Sequence, residues 1–346
     1  MKKTILAGAS ILALGLASPA FAQSTSTVTQ NGTGNAADVT QENANTSDIN
    51  QVGDNNDADV TQTGINTTGN EVDIDQTATG SNTANVIQQA GSNGSFADVI
   101  QDGTSDGNTA NIDQASTQVA SAEVTQTDSL NGFAEVFQGG GNGIGNFTAI
   151  VQGDSSLVGG TVSGATNASS IVRQEGDNNV ALNIQTGADQ ITLIDQLTAS
   201  SGNDAIVSQG AFGGSTNDAF ILQIGDGDSA EIAQSSDGND ADIGQANGTG
   251  NFALIDQGFV GGAGVGGDNN TASIAQDGSG NFSAISQNET TAGSGNIADV
   301  LQAGDNNVSF VTQDGSTLSA TVNQLTDGNF SSVTQGGTGN SITVNQ

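Results

Sequence analysis

The side chains that recur at a fixed spacing are carboxamides. Glutamine stands at 30, 41, 51, 62, 76, 88, 101, 114, 126, 138, 152, 174, 185, 196, 209, 223, 234, 245, 257, 276, 287, 302, 313, 324, 335 and 346, most often 11 residues apart. A primary amide carries donors and an acceptor, so its chemistry is mutual hydrogen bonding. Each Gln can donate to the carbonyl oxygen of its counterpart in a stacked repeat, forming a ladder. The strongest ladder candidates are Gln30, Gln41, Gln51, Gln62, Gln276, Gln287, Gln302, Gln313, Gln324, Gln335 and Gln346. Six residues before a Gln, Asn is commonest, and Asn35, Asn56, Asn281, Asn307 and Asn340 are expected to ladder in the same amide-to-amide way.

The elements that must position these amides are strands. Two before each Gln stands Val or Ile, from Val28 and Val39 to Val333 and Val344, with Asn183 the one exception. Four before it a small residue dominates, as at Ala37, Ala58, Ala84, Ala97, Ala110, Ala241 and Ala298. Positions two apart lie on one face of a strand, so Asn, Ala, Val/Ile and Gln point the same way. Turn residues separate the units, as in Gln51-Val52-Gly53-Asp54-Asn55-Asn56; Gly, Asn and Asp tolerate the positive φ of tight turns. The spacing therefore predicts an all-β chain, a β-solenoid of about 13 stacked strand-turn-strand rungs of roughly 22 residues each. One such hairpin buries too little to be stable alone, whereas stacking aligns each inward Val or Ile with the next.

Composition narrows the function. Among 346 residues there are 37 acidic and 3 basic side chains, no His, no Cys, no Trp and no Tyr. Without thiol or imidazole, only carboxylates and hydroxyls are left for catalysis. The acids are spread over turns and outward strand positions in a repeating array, so the chain reads as a non-enzyme with no catalytic, cofactor or metal site and no cofactor. Asp-rich turns such as Asp226-Gly227-Asp228 offer oxygens of the kind calcium takes, but the nonapeptide of calcium-binding β-rolls is absent. A net charge of −34 repels nucleic acid and anionic lipid, which excludes nucleic acid as a partner. With no Cys, hydrogen bonds and stacking must hold the fold.

Residues 1–22 read as a secretory signal, with Lys2 and Lys3, the apolar run from Ile5 to Leu16 and the small-x-small site Ala20-Phe21-Ala22. The apolar run is too short to span a bilayer. Its removal takes the net charge from −34 to −36 and leaves Arg173 as the one basic residue in 23–346, a single repeat domain.

The unit Gln-x-Gly-x-x-Asn-x-Ala-x-[Val/Ile]-x-Gln, as in Gln30 to Gln41, Gln51 to Gln62 and Gln276 to Gln287, resembles the curlin repeat of curli fibre subunits, over essentially all of 23–346. The resemblance implies a secreted functional amyloid, a homopolymer fibre on the bacterial surface that serves as biofilm matrix and adhesive. It implies as partners the chain itself, a nucleator subunit and a dedicated outer-membrane export machinery. In that family the Gln and Asn at the strand ends drive polymerisation, which here gives that role to the Gln and Asn residues named above. The chain departs from the familiar five-repeat subunits in its length, in the short stretch between Gln23 and Val28, and in having no Tyr. The alternative is a monomeric acidic β-solenoid adhesin or surface-layer protein, with calcium at its turns.

Irregularities carry further expectations. The long intervals from Gln152 to Gln174, with a degenerate unit at Val162 and Ser163, and from Gln257 to Gln276, with the run Gly258 to Gly267, read as imperfect rungs or bulged loops. The outward position three before Gln is acidic at Asp38, Asp48, Asp59 and Asp73 but apolar at Ile171, Leu182, Leu193, Ile206, Phe220 and Leu254, suiting lateral packing of filaments. Arg173, next to Gln174 and Glu175, should form a local ion pair. The last unit, Ser341 to Gln346, has no polar cap after it, which leaves strand edges for another copy.

Overall fold

The computed structural model describes residues 24–64, 69–78, 80–89, 91–115, 119–139, 145–153, 165–197, 201–210, 214–258, 268–287 and 293–346. The segment read as a secretory signal, the unit at Val162 and Ser163 and residues 259–267 of the glycine run lie outside them. Strands alternate between two sheets of 13 strands each. The first sheet holds β1 (Thr25–Asn31), β3 (Thr46–Val52), β5 (Glu71–Gln76), β7 (Phe96–Asp102), β9 (Ser121–Thr127), β11 (Phe147–Gly153), β13 (Val180–Gln185), β15 (Asp204–Gln209), β17 (Ser229–Gln234), β19 (Phe252–Gln257), β21 (Phe282–Gln287), β23 (Val308–Ser316) and β25 (Phe330–Thr338). The second holds β2 (Ala36–Gln41), β4 (Asp57–Thr63), β6 (Thr83–Gln89), β8 (Thr109–Ala115), β10 (Phe133–Gly139), β12 (Ser169–Glu175), β14 (Ile191–Gln196), β16 (Asp218–Gln223), β18 (Asp240–Ala246), β20 (Thr271–Asp277), β22 (Ile297–Ala303), β24 (Ser319–Gln324) and β26 (Ser341–Asn345). The fold is a β-solenoid, and no helix occurs among the described residues.

Each strand pairs in parallel with the strand two further along the chain, in one register throughout. Val60 of β4 lies beside Val39 of β2, and Gln62 beside Gln41. The register survives the long intervals: β12 pairs with β10 so that Gln174 meets Gln138, and β13 pairs with β11 so that Gln185 meets Gln152. The strands on either side of each long interval thus stay in phase, and neither sheet loses a rung.

The sequence period becomes burial directly. In β4 the exposed or half-exposed Asp57, Asp59, Thr61 and Thr63 alternate with buried Ala58, Val60 and Gln62. The apolar core is a double column one or two side chains thick, built from residues such as Ile49, Ile74, Ile112, Ile232 and Ile274. The turns stack as closely as the strands. Gly32 has φ +133°, and a Cβ there would run into the carbonyl of Gly53 in the next rung; only glycine supplies both the dihedral and the space.

Candidate assembly ladder

Every inward Gln is placed by the strand that precedes it and by the rungs on either side. Within each sheet, Gln Nε2 donates to the Oε1 of the Gln one rung on. In the first sheet the column runs Gln30 to Gln51 (2.7 Å), Gln51 to Gln76 (2.9 Å) and on to Gln287 to Gln313 and Gln313 to Gln335 (both 2.8 Å). In the second it runs Gln41 to Gln62 (2.5 Å), Gln62 to Gln88 (2.7 Å) and on to Gln276 to Gln302, Gln302 to Gln324 and Gln324 to Gln346 (all 2.9 Å). The long intervals do not interrupt either column, since Gln138 reaches Gln174 at 3.0 Å and Gln152 reaches Gln185 at 2.9 Å.

The second N–H of the column amides from Gln41 on crosses between the sheets. Gln51 Nε2 donates to Ala36 O at 2.7 Å, Gln76 Nε2 to Asp57 O at 3.0 Å and Gln346 Nε2 to Phe330 O at 3.0 Å. Both neighbours of the nitrogen are acceptors, which fixes the orientation of the amide. All the steps therefore point one way. Each column begins with an Oε1 atom, on Gln30 or Gln41, and ends with an Nε2 group, on Gln335 or Gln346.

The asparagines stack differently from the expectation of an amide-to-amide ladder. Asn35 Oδ1 accepts from the backbone N–H of Asn56 at 3.0 Å, Asn56 Oδ1 from Asn82 N at 3.2 Å, and Asn281 Oδ1 from Asn307 N at 2.9 Å. Asn307 Oδ1 accepts in turn from Asn329 N at 2.9 Å. Some Nδ2 groups bind turn carbonyls, as in Asn35 to Gly53 O, Asn281 to Gly304 O and Asn340 to Gly336 O, whereas those of Asn56 and Asn307 are buried without a hydrogen-bond partner. With or without that bond, the backbone N–H of the next rung takes the side-chain oxygen of Asn35, Asn56, Asn281 and Asn307.

Sequence reasoning missed a set of bonds between stacked turns. Turn carboxylates, read as solvated, accept from the turn of the preceding rung: Asp54 Oδ1 from Thr33 N and Oγ1 at 2.9 and 2.7 Å, Asp226 from Ser201 N at 2.8 Å, Asp305 from Ser279 N at 2.8 Å. The bonds from Thr33 hold the Asp54 carboxyl below its ordinary value. The signal was Asp beside a turn Gly, with Ser or Thr at the matching place one rung earlier.

Residues 214–246, 267–300 and 293–325 match the curlin-associated repeat. The C-terminal part of the chain carries curlin-associated repeats. Each match spans three consecutive strands, β16 to β18, β20 to β22 and β22 to β24, and the strands before them share the same register and the same inward Gln. A comparison with curated proteins returns no match.

On the outward faces of the N-terminal rungs like charges stack. Asp48, Asp73, Asp98 and Glu123 are register partners along the first sheet, and Asp38 and Asp59 along the second. Burial among neighbouring outward side chains, then the charges of Asp73, Glu123 and Asp75, push the Asp98 carboxyl up to about 6. Asp73 and Asp59 move the same way, again through burial first and neighbouring acids second. Arg173 pairs with Asp195 at 3.2 Å, its register partner one rung on, rather than with Glu175 beside it in sequence. Toward the C-terminal end the first sheet bears a row of phenylalanines, with Phe252 and Phe282 stacked at 5.0 Å and 9° and Phe310 and Phe330 continuing it. Among the described residues no group of three or more His, Cys, Asp or Glu is placed to hold a metal ion.

Proposed function

We propose that this curlin-repeat chain is a secreted structural subunit that polymerises end to end into curli-like fibres at the cell surface, as biofilm matrix and adhesive. The supporting observation is the directionality of the Gln columns. One end presents Gln30 and Gln41 Oε1 acceptors in the register in which the other presents Gln335 and Gln346 Nε2 donors. In each sheet the outermost strands, β1 and β2 at one end and β25 and β26 at the other, pair on one side only. A second copy added head to tail places β1 on β25 and β2 on β26 and continues both columns. Such contacts are heterologous and do not close on themselves, so they propagate as a filament. Export behind residues 1–22, and a nucleator and outer-membrane machinery as partners, complete this reading.

Negative-stain electron microscopy of residues 23–346 after a day of quiescent incubation near neutral pH tests it. Long unbranched fibres are expected. Short rods of uniform length would overturn polymerisation and favour the monomeric adhesin.

A further inference from the structure

In the middle of the solenoid polar side chains enter the interior beside Ile150, Val172 and Ile194, and apolar ones line an outward face. Inward, Thr148, Ser170 and Thr192 stand where most rungs have Ala, and Asn183 stands where the others have Val or Ile; all four are buried. Thr148 Oγ1 donates to Gln174 Oε1 at 2.7 Å, Thr192 Oγ1 to Gln209 Oε1 at 2.8 Å, and Asn183 Nδ2 to Ser170 Oγ at 2.6 Å. Asn183 Oδ1 is buried without a hydrogen-bond partner. Outward, β11 and β13 are apolar, with Phe147, Ala149 and Val151 on β11 and Val180, Leu182 and Ile184 on β13, and β15 adds Ile206 beside Asp204, the one charge of the three strands. Phe147 and Ile206 are 39% and 37% exposed. Neither β11 nor β13 carries a charged residue.

We infer that this face docks a second copy of the chain, two rods lying side by side and end for end about β13. Charge selects both the partner and its direction. The column three before Gln on this sheet reads Asp48, Asp73, Asp98 and Glu123 before the apolar window and Glu231 after it. Rods side by side in the same direction would set each of these acids against its own copy. Turned end for end, Asp98 faces Leu254, Asp73 faces Ala284 and Asp48 faces Phe310, and only Glu123 and Glu231 oppose each other. The like-charge contacts that would otherwise oppose a pair of polyanions are thereby reduced. A row of acids set against an apolar row is no attraction, so the contact centres on the window itself.

Three strands of six residues present about 300 Å² of sheet face per copy, at roughly 4.8 Å per strand and 3.3 Å per residue. A stable pair needs about 800 Å² per partner, so single rods stay apart. Stacked rods repeat the window along the filament and pair through the sum of many weak contacts. In this respect the inference rests on the end-to-end assembly proposed above.

The chain has no Cys, so one introduced thiol is unambiguous. Facing sheets lie about 10 Å apart, within reach of a short bismaleimide. In assembled protein, Leu182→Cys is expected to cross-link to itself as a dimer, and Asp98→Cys on the order of tenfold less, because end-for-end pairing separates the two copies of position 98 by several rungs of about 4.8 Å. The outward double variant Leu182→Asp with Ile206→Asp is expected to give single filaments where the unsubstituted protein gives pairs. Equal cross-linking at 98 and 182, no cross-linking at 182, or pairs that persist in the double variant would each overturn side-by-side docking in this sense. Single filaments of the unsubstituted protein would overturn it while leaving polymerisation standing, and the absence of any filament would overturn both.

Discussion

The rungs from β3 to β9 and those from β11 to β14 distribute polarity differently. In the first group the inward residues are largely apolar, as at Val72, Ile74, Val86 and Val99, and the outward ones acidic, as at Asp48, Asp59, Asp73 and Asp98. In the second, Thr148, Ser170, Asn183 and Thr192 face in beside Ile150, Val172 and Ile194, and Val151, Leu182, Ile184 and Leu193 face out. Strand register and amide geometry are nevertheless the same: Gln76 donates to Gln101 at 2.8 Å in one group, and Gln174 to Gln196 at 2.9 Å in the other. The hydrophobic column is therefore interrupted at β13, by Asn183, without a change of register. The constant element is the buried amide, which fills a donor above, an acceptor below and a carbonyl across, and would be costly to leave unpaired.

The comparison breaks most sharply at the amide itself. Gln126→Ala should destabilise the protein by about 3 kcal/mol or more in denaturant titration, since it orphans the buried amides of Gln101 and Gln152. Gln174→Ala in the second group should cost at least as much, because Thr148 also loses its acceptor. If Gln174→Ala costs under about 1 kcal/mol, the ladder is not what holds the middle rungs. Next in size, Asn183→Val together with Ser170→Ala restores the unit found elsewhere and removes a buried oxygen with no partner. It should raise stability by about 1 kcal/mol, whereas Ile74→Ala, in the conventional group, should lower it by about 2 to 4.

The acidic group responds to pH in a direction that follows from its carboxyls. Asp98 titrates near 6 in the folded protein against an ordinary 3.8, so the folded state holds the extra proton between those values. Stability is highest at the acid end of that window and is lost as pH rises through 6. Denaturation midpoints and assembly lag times should therefore favour pH 4 over pH 8, and Asp98→Asn should narrow the difference. Equal lag times at the two pH values would sink this account of the acid column. The smallest effect belongs to Arg173→Gln, which breaks a surface ion pair and should change stability by under about 1 kcal/mol.

Much of this was readable before any coordinates. Because a strand's side chains alternate strictly, the Asn-x-Ala-x-Val-x-Gln spacing specified which residues face in, and the recurrence of Gln specified where each strand lies, β1 through β26. Asn183 stood out as a polar residue in an apolar column. The register across the gap from Gln152 to Gln174 could not be read, because turn length does not constrain a parallel stack so long as the strands resume in phase. Nor could the choice of partner for Asn oxygens, Asp54 or Arg173. These depend on what lies one rung away, where the offset in sequence varies from 21 to 36 residues. Position along the chain therefore points to the wrong neighbour, as Glu175 does for Arg173.

Hydrogen–deuterium exchange resolved strand by strand tests most directly whether the amide columns, rather than the apolar core, hold the rungs. If they do, backbone amides of β13, where Asn183 replaces the buried Val or Ile, exchange as slowly as those of β3 to β9. Protection in β3 to β9 with fast exchange in β13 would contradict it and assign the stability of the solenoid to its buried Val and Ile.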